Sequence, residues 1–163
     1  MRKLKAFFKN IIPNLVFAAI SLLVGILSAL LTKGNMNIYD TVTTPKLAPP
    51  AGLFPIVWTV LFILMGIGAG EIYKRRESAS VASKKAFIYF SLQLFVNFLW
   101  SILFFNAMQF LLCVFVLLAL ILLVVLMIVS FYTVKPLAAF LQLPYIVWLL
   151  FALYLNIGIV LMN

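Results

Sequence analysis

Five long apolar runs constrain this chain more than any other feature. They cover residues 11–31, 53–73, 86–106, 110–132 and 137–162. A helix needs about 20 mostly apolar residues to cross a bilayer. Inside lipid the backbone polar groups must be satisfied within the structure itself, so such runs form helices or closed barrels. A barrel strand alternates apolar and polar residues. The fourth run, FLLCVFVLLALILLVVLMIVSFY, shows no alternation. With 67% hydrophobic and only 9% charged residues, and a mean hydropathy of +1.26, the chain lacks the polar surface a soluble fold would need. The expected fold is an all-α integral membrane protein, a single bundle of five transmembrane helices, with residues 1–163 as one domain.

The charges are distributed as such a bundle requires. Arg2, Lys3, Lys5 and Lys9 precede the first run, Lys74, Arg75, Arg76, Lys84 and Lys85 separate the second from the third, and Lys135 separates the fourth from the fifth. The other side receives only Lys33 and Lys46. The positive-inside rule places the N-terminus in the cytoplasm and the C-terminus outside. The net charge of +9 is thereby explained without a nucleic-acid partner, since the cations are split among loops rather than gathered on one face. The basic loop KRRESASVASKK reads first as an orientation signal and only second as a site for anionic lipid. The basic N-terminus followed by an apolar run imitates a signal peptide. That run exceeds the usual h-region of about 7–15 residues and no A-x-A site follows, so it is expected to be kept as the first span.

Absent residues exclude several chemistries. Without histidine there is no His-ligated haem, His metal site or Ser–His hydrolase. Cys113 is the single cysteine, which rules out an intrachain disulfide and a cysteine metal cluster; its place in an apolar helix suits packing. Asp40, Glu71 and Glu77 are the only acids and lie at or beyond the run ends, so neither midplane carboxylate proton coupling nor two-carboxylate chemistry is expected. Small multidrug exporters that rely on an intramembrane carboxylate are a poor fit, and the lack of an internal repeat argues against inverted-repeat transporters. No metal site and no required cofactor are expected.

Polar side chains within the runs are informative because hydrocarbon makes them costly without partners. The third run places Gln93, Asn97, Trp100 and Ser101 on one helical face, and the fifth places Tyr145, Trp148, Ala152, Leu155 and Asn156 on another. From the residues alone two readings stand. Either these groups satisfy one another as interhelical glue, or they line a pocket with flat aromatic walls and a few polar groups, where small Ala152 lets a ligand approach the backbone. Gly66 and Gly70 form a GxxxG pattern suited to helix packing or to a dimer face. Pro136 suits a helix start, whereas Pro144 is expected to kink the fifth helix. The four residues Asn106–Gln109 must turn the chain at once and make the third and fourth helices antiparallel neighbours.

The second run has an unusual entrance. In LAPPAGLFPIVW, Pro49, Pro50, Gly52 and Pro55 lead straight into the helix. Proline fixes φ and restricts the preceding residue, so the long connection is expected to be an ordered lid over an intramembrane pocket rather than a slack link.

Three segments together, PKLAPPAGLFPIVWTVLFILMG, QLFVNFLWSILFF and LPYIVWLLFALYLN, resemble the TspO/MBR family in content and order, from about residue 39 to residue 156. The resemblance implies a five-helix bundle, often dimeric, that binds porphyrins such as protoporphyrin IX or haem, and in some members sterols or synthetic ligands, beneath the loop between helices 1 and 2. Carried over by motif, the ligand site comprises Tyr39, Phe54, Trp58, Asn97, Trp100, Trp148, Phe151, Ala152, Leu155 and Asn156. The function so implied is that of a membrane receptor or carrier with no committed chemical step. The alternatives are light-dependent porphyrin breakdown, with Trp58 and Trp148 as the catalytic candidates, and a ligand-responsive regulatory or scaffolding protein. The implied partners are the lipid bilayer, a porphyrin or other hydrophobic small molecule, and a second copy of the chain. The expected location is the cytoplasmic (inner) membrane of a prokaryote. Relatives carry further tryptophans where this chain has Leu47, Gly52 and Leu112, and the C-terminal sterol motif of animal members is missing, since no Lys or Arg follows Tyr154.

Overall fold

The computed structural model describes residues 2–35 and 38–163, with side chains described for 10–35, 38 and 41–163. In chain order the elements are α1 (Arg2–Thr32), a 3-10 turn (Lys33–Asn35), α2 (Ile38–Thr41), α3 (Leu53–Tyr73), α4 (Ser80–Phe105), α5 (Phe110–Val134), α6 (Pro136–Phe140) and α7 (Leu143–Met162). Five segments are long and apolar enough to span a bilayer, the last being α6 and α7 together. The chain is therefore a multi-pass membrane protein whose outer faces meet lipid.

The helices close into a ring in the order α1, α3, α6–α7, α5, α4 and back to α1. The fourth span shows why residue pattern sets orientation. Cys113, Leu117, Leu120, Val124, Met127 and Phe131 of α5 are buried, at the alternating spacing of three and four residues that keeps one stripe of a helix inward. Leu111, Leu118, Leu122 and Val129 on its other side are exposed, as lipid-facing residues should be. Between α4 and α5 the chain reverses within four residues, with Met108 in the left-handed region at φ 52°.

The GxxxG pattern is used inside the chain. A Cβ on Gly66 would overlap the backbone of Ala18, and one on Gly70 would lie 2.5 Å from the Cα of Asn14. These two glycines let α1 and α3 approach backbone to backbone, so they do not offer a dimer face. At the end of the bundle away from the long connection, Asn14 Nδ2 donates to Glu71 Oε1 at 3.0 Å, and Lys74 and Arg75 pair with the same carboxylate.

Two expectations about helix limits need correction. The helix of the third span starts at Ser80 rather than at residue 86, because the polar stretch before the apolar run is helical too. The fifth span is broken rather than kinked. Pro144 lies in the first turn of α7, where its missing N–H costs nothing. Just before it, Gln142 N bonds Ala139 O at 2.9 Å, a tightened turn that leaves Ala138 O for the Gln142 side chain, whose Nε2 donates to it at 3.0 Å. Gly68 makes room, since a Cβ there would collide with that Nε2.

Candidate functional site

The connection between α1 and α3 is built as a strap. Two turns, each opened by a proline, shape it: Ala48 N bonds Pro45 O at 2.9 Å and Leu53 N bonds Pro50 O at 2.9 Å. Its ends are latched to other helices. Ile38 packs with Phe104, Cys113 and Ile159. Pro45 fills the notch left by Gly158, where a Cβ would overlap its Cγ. Thr43 N donates to Asn163 Oδ1 at 2.9 Å, and Asn163 Nδ2 donates back to Thr43 O at 3.0 Å. Asn35 Nδ2 reaches Asn106 Oδ1 at 3.0 Å, and Asn106 Nδ2 reaches Leu31 O at 3.1 Å.

Between the helices lies a cavity of about 200 Å³, lined by α1, α3, α4 and α7, with no described residue of the strap among its lining. Phe54, Trp58, Asn97, Trp100, Trp148, Ala152, Leu155 and Asn156 all line it, so residues far apart in the chain, chosen by motif, meet around one space. Phe151 does not line it; its ring packs on Trp148 at 5.5 Å. The Tyr39 side chain is outside the described residues. The seam between α3 and α7 is closed by edge contacts, Phe54 on Trp148 at 5.8 Å and Trp58 on Tyr145 at 6.1 Å.

Sequence reasoning missed a whole wall. Gly25, Ser28, Ala29 and Thr32 of α1 line the cavity, and their spacing of three, four and seven residues was the available signal. Thr59, Phe62, Phe104 and Phe105 were also unassigned and lie on its surface, as does Ser101 of the polar face read in the third run. Leu47, Gly52 and Leu112, the positions at which the resemblance leads one to expect further tryptophans, are not among the lining residues. Leu47 is 68% exposed, a Cβ on Gly52 would meet only open space, and Leu112 faces outward.

The polar groups divide into those already satisfied and those left over. Asn156 Nδ2 donates to Phe110 O at 2.9 Å, and its Oδ1 lies 3.5 Å from Trp100 Nε1. That pair ties α4, α5 and α7 together as glue. Asn97 Nδ2 donates to Tyr145 OH at 2.9 Å, and Tyr145 OH donates to Gln93 Oε1 at 2.9 Å. Thr59 and Ser101 turn their hydroxyls onto carbonyls of their own helices. By contrast, Trp148 Nε1 is buried with no hydrogen-bond partner among the described residues. No charged side chain lines the cavity among the described residues. Interhelical glue is thus present through Asn156, Asn97, Tyr145 and Gln93, beside a cavity that Trp58, Trp100 and Trp148 line.

Comparison with known proteins adds the following. The model of the TspO/MBR family matches residues 17–162. The tryptophan-rich protein TspO of Archaeoglobus fulgidus is 38% identical over 125 residues, covering 77% of this chain and 79% of that protein. Its namesake in Chlorobaculum tepidum is 33% identical over 129 residues, covering 77% and 78%. The translocator protein of Sus scrofa is 32% identical over 147 residues, covering 89% and 86%.

Proposed function

The chain belongs to the TspO/MBR family, and from that premise we propose that it is a membrane receptor or carrier for flat apolar ligands, porphyrin-type tetrapyrroles first among them, held in the cavity between the helices. The observation that carries this reading is a cavity walled by Trp58, Trp100 and Trp148, with Asn97 on its surface and no charged side chain among the described residues that line it. Trp58, Trp100 and Trp148 supply ring faces, Ala152 leaves room at the backbone, and Asn97 supplies a polar edge. Asn156 is spoken for by Phe110 and Trp100, and in this reading it shapes the wall rather than touching the ligand's polar edge.

At about 200 Å³ the cavity is smaller than the roughly 300–1,000 Å³ of sites for drug-sized ligands. In this reading the cavity widens to take a tetrapyrrole, and raising the strap by release of its latches at Thr43 and Pro45 is the proposed way in. By the distribution of Lys and Arg this entrance faces away from the cytoplasm, in the cytoplasmic membrane if the source is a prokaryote. Trp58 and Trp148 both border the same space, so a bound chromophore touches both indoles, which keeps light-dependent breakdown as a second reading.

The deciding experiment is a dark titration with protoporphyrin IX, read by quenching of intrinsic fluorescence in detergent and followed by illumination and absorbance. A binder returns the porphyrin unaltered, whereas an enzyme consumes it. An affinity unchanged in the Trp148→Leu, Asn97→Ala double variant would sink the pocket assignment.

A further inference from the structure

A chain of three hydrogen-bonding side chains leads from the bundle core to the cavity wall. Gln93 Nε2 points at Met65 Sδ at 3.5 Å, Gln93 Oε1 accepts from Tyr145 OH at 2.9 Å, and Tyr145 OH accepts from Asn97 Nδ2 at 2.9 Å. Met65, Gln93 and Tyr145 are almost wholly excluded from solvent, while Asn97 reaches the cavity.

Such a chain has a direction, and the sulfur sets it. A thioether can only accept, and weakly. With the Gln93 amide turned over, its carbonyl oxygen would face Met65 Sδ, two acceptors in contact. The amide is thus held with its N–H toward the sulfur and its oxygen toward Tyr145. That oxygen claims the single phenolic proton, so Tyr145 can meet Asn97 only as an acceptor. Asn97 must therefore turn its Nδ2 inward, and its Oδ1, which accepts no hydrogen bond among the described residues, is the atom left for the cavity.

We infer that Met65, Gln93 and Tyr145 are positioning residues that lock Asn97 as a hydrogen-bond acceptor, so that the cavity selects neutral aromatic ligands presenting an O–H or N–H donor. This rests on the ligand-pocket reading above and narrows it. With Asn97 Oδ1 as an acceptor that has no donor among the described residues, the matching ligand group is one that donates, as a hydroxyl or a secondary lactam does. A hydroxyl capped as a methyl ether keeps the acceptor and the flat ring but loses the donor.

The test compares naphthol with its methyl ether on the full-length protein by calorimetry in detergent, each corrected for partition into micelles. The native chain is expected to favour naphthol about fivefold, the worth of one net hydrogen bond. Tyr145→Phe is expected to bring the two affinities to within twofold, by weakening naphthol and leaving the ether unchanged. Met65→Leu, a volume-conserving change, moves the ratio the same way because it removes the group that orients Gln93. The unchanged ether affinity is the control for folding. A native preference that survives both substitutions overturns the inference while leaving the pocket intact, as does equal loss of both ligands, which marks the three residues as packing alone. If neither probe binds the native chain, the pocket reading fails and this inference with it.

Discussion

Gly66 and Gly70 act by what they lack. Each removes a Cβ that would meet α1 backbone at Ala18 or Asn14, and backbone cannot move aside as a side-chain tip can. Where lipid is as apolar as the helix surface, close van der Waals contact is a principal source of helix association. Gly66→Ala is therefore expected to destabilise the bundle by about 1–3 kcal/mol, the usual range for overpacking, seen as a lower thermal midpoint in detergent. Gly34→Ala, with nothing within 4 Å of its added carbon, serves as the control. The same residue-scale reasoning settles what the missing tryptophans mean. Because Leu47 is 68% exposed and Gly52 borders open space, Leu47→Trp and Gly52→Trp are expected to leave porphyrin affinity within about twofold of the native value, below the roughly 1 kcal/mol of one hydrogen bond. A strong gain in affinity from either would mean that the strap folds over a bound ligand differently from its seat in the closed bundle.

At the scale of elements, the strap and α7 form one mechanical unit. Two hydrogen bonds join Thr43 to Asn163, and Pro45 sits in the Gly158 notch, so raising the strap must release the end of the helix that carries Trp148 and Asn156. Asn163→Ala removes both bonds, a weakening of about 1–3 kcal/mol if each contributes its usual net worth. Gly158→Ala unseats the proline. Both are expected to speed porphyrin association on the order of tenfold in stopped-flow quenching, since opening then comes more cheaply; unaltered rates in both would show that the strap is no barrier to entry. The prolines at 49, 50 and 55 made this element legible in the sequence, and the apolar runs made the five spans legible. The break between α6 and α7 was legible only in part. Pro144 signalled a disturbance, but its form depended on Gln142 reaching back to Ala138 and on Gly68 of another helix making space. The α1 wall was hidden for a different reason. Gly25, Ser28, Ala29 and Thr32 carry no reactive group, and a stripe of small residues shows neither a ring nor a charge to read.

For the whole molecule, the remaining question is which end of the bundle faces which compartment, because that decides from where a ligand reaches the cavity. The strap end carries Lys33 and Lys46, and the opposite end carries Lys74, Arg75, Arg76, Lys84, Lys85 and Lys135. Loops within about 15–20 residues of the spans dominate orientation, so the prediction from this asymmetry is that the strap lies outside. Cys113 is fully buried and will not react with an impermeant thiol reagent, which leaves the native chain as a clean background. Lys33 and Ser78 are both exposed, at opposite ends. In intact cells or sealed right-side-out vesicles, Lys33→Cys is expected to be labelled by an impermeant maleimide without lysis, and Ser78→Cys only after it. The reverse pattern would turn the protein over in the membrane and open the cavity to the cytoplasm, making the strap a gate for ligands made inside rather than for those arriving from outside.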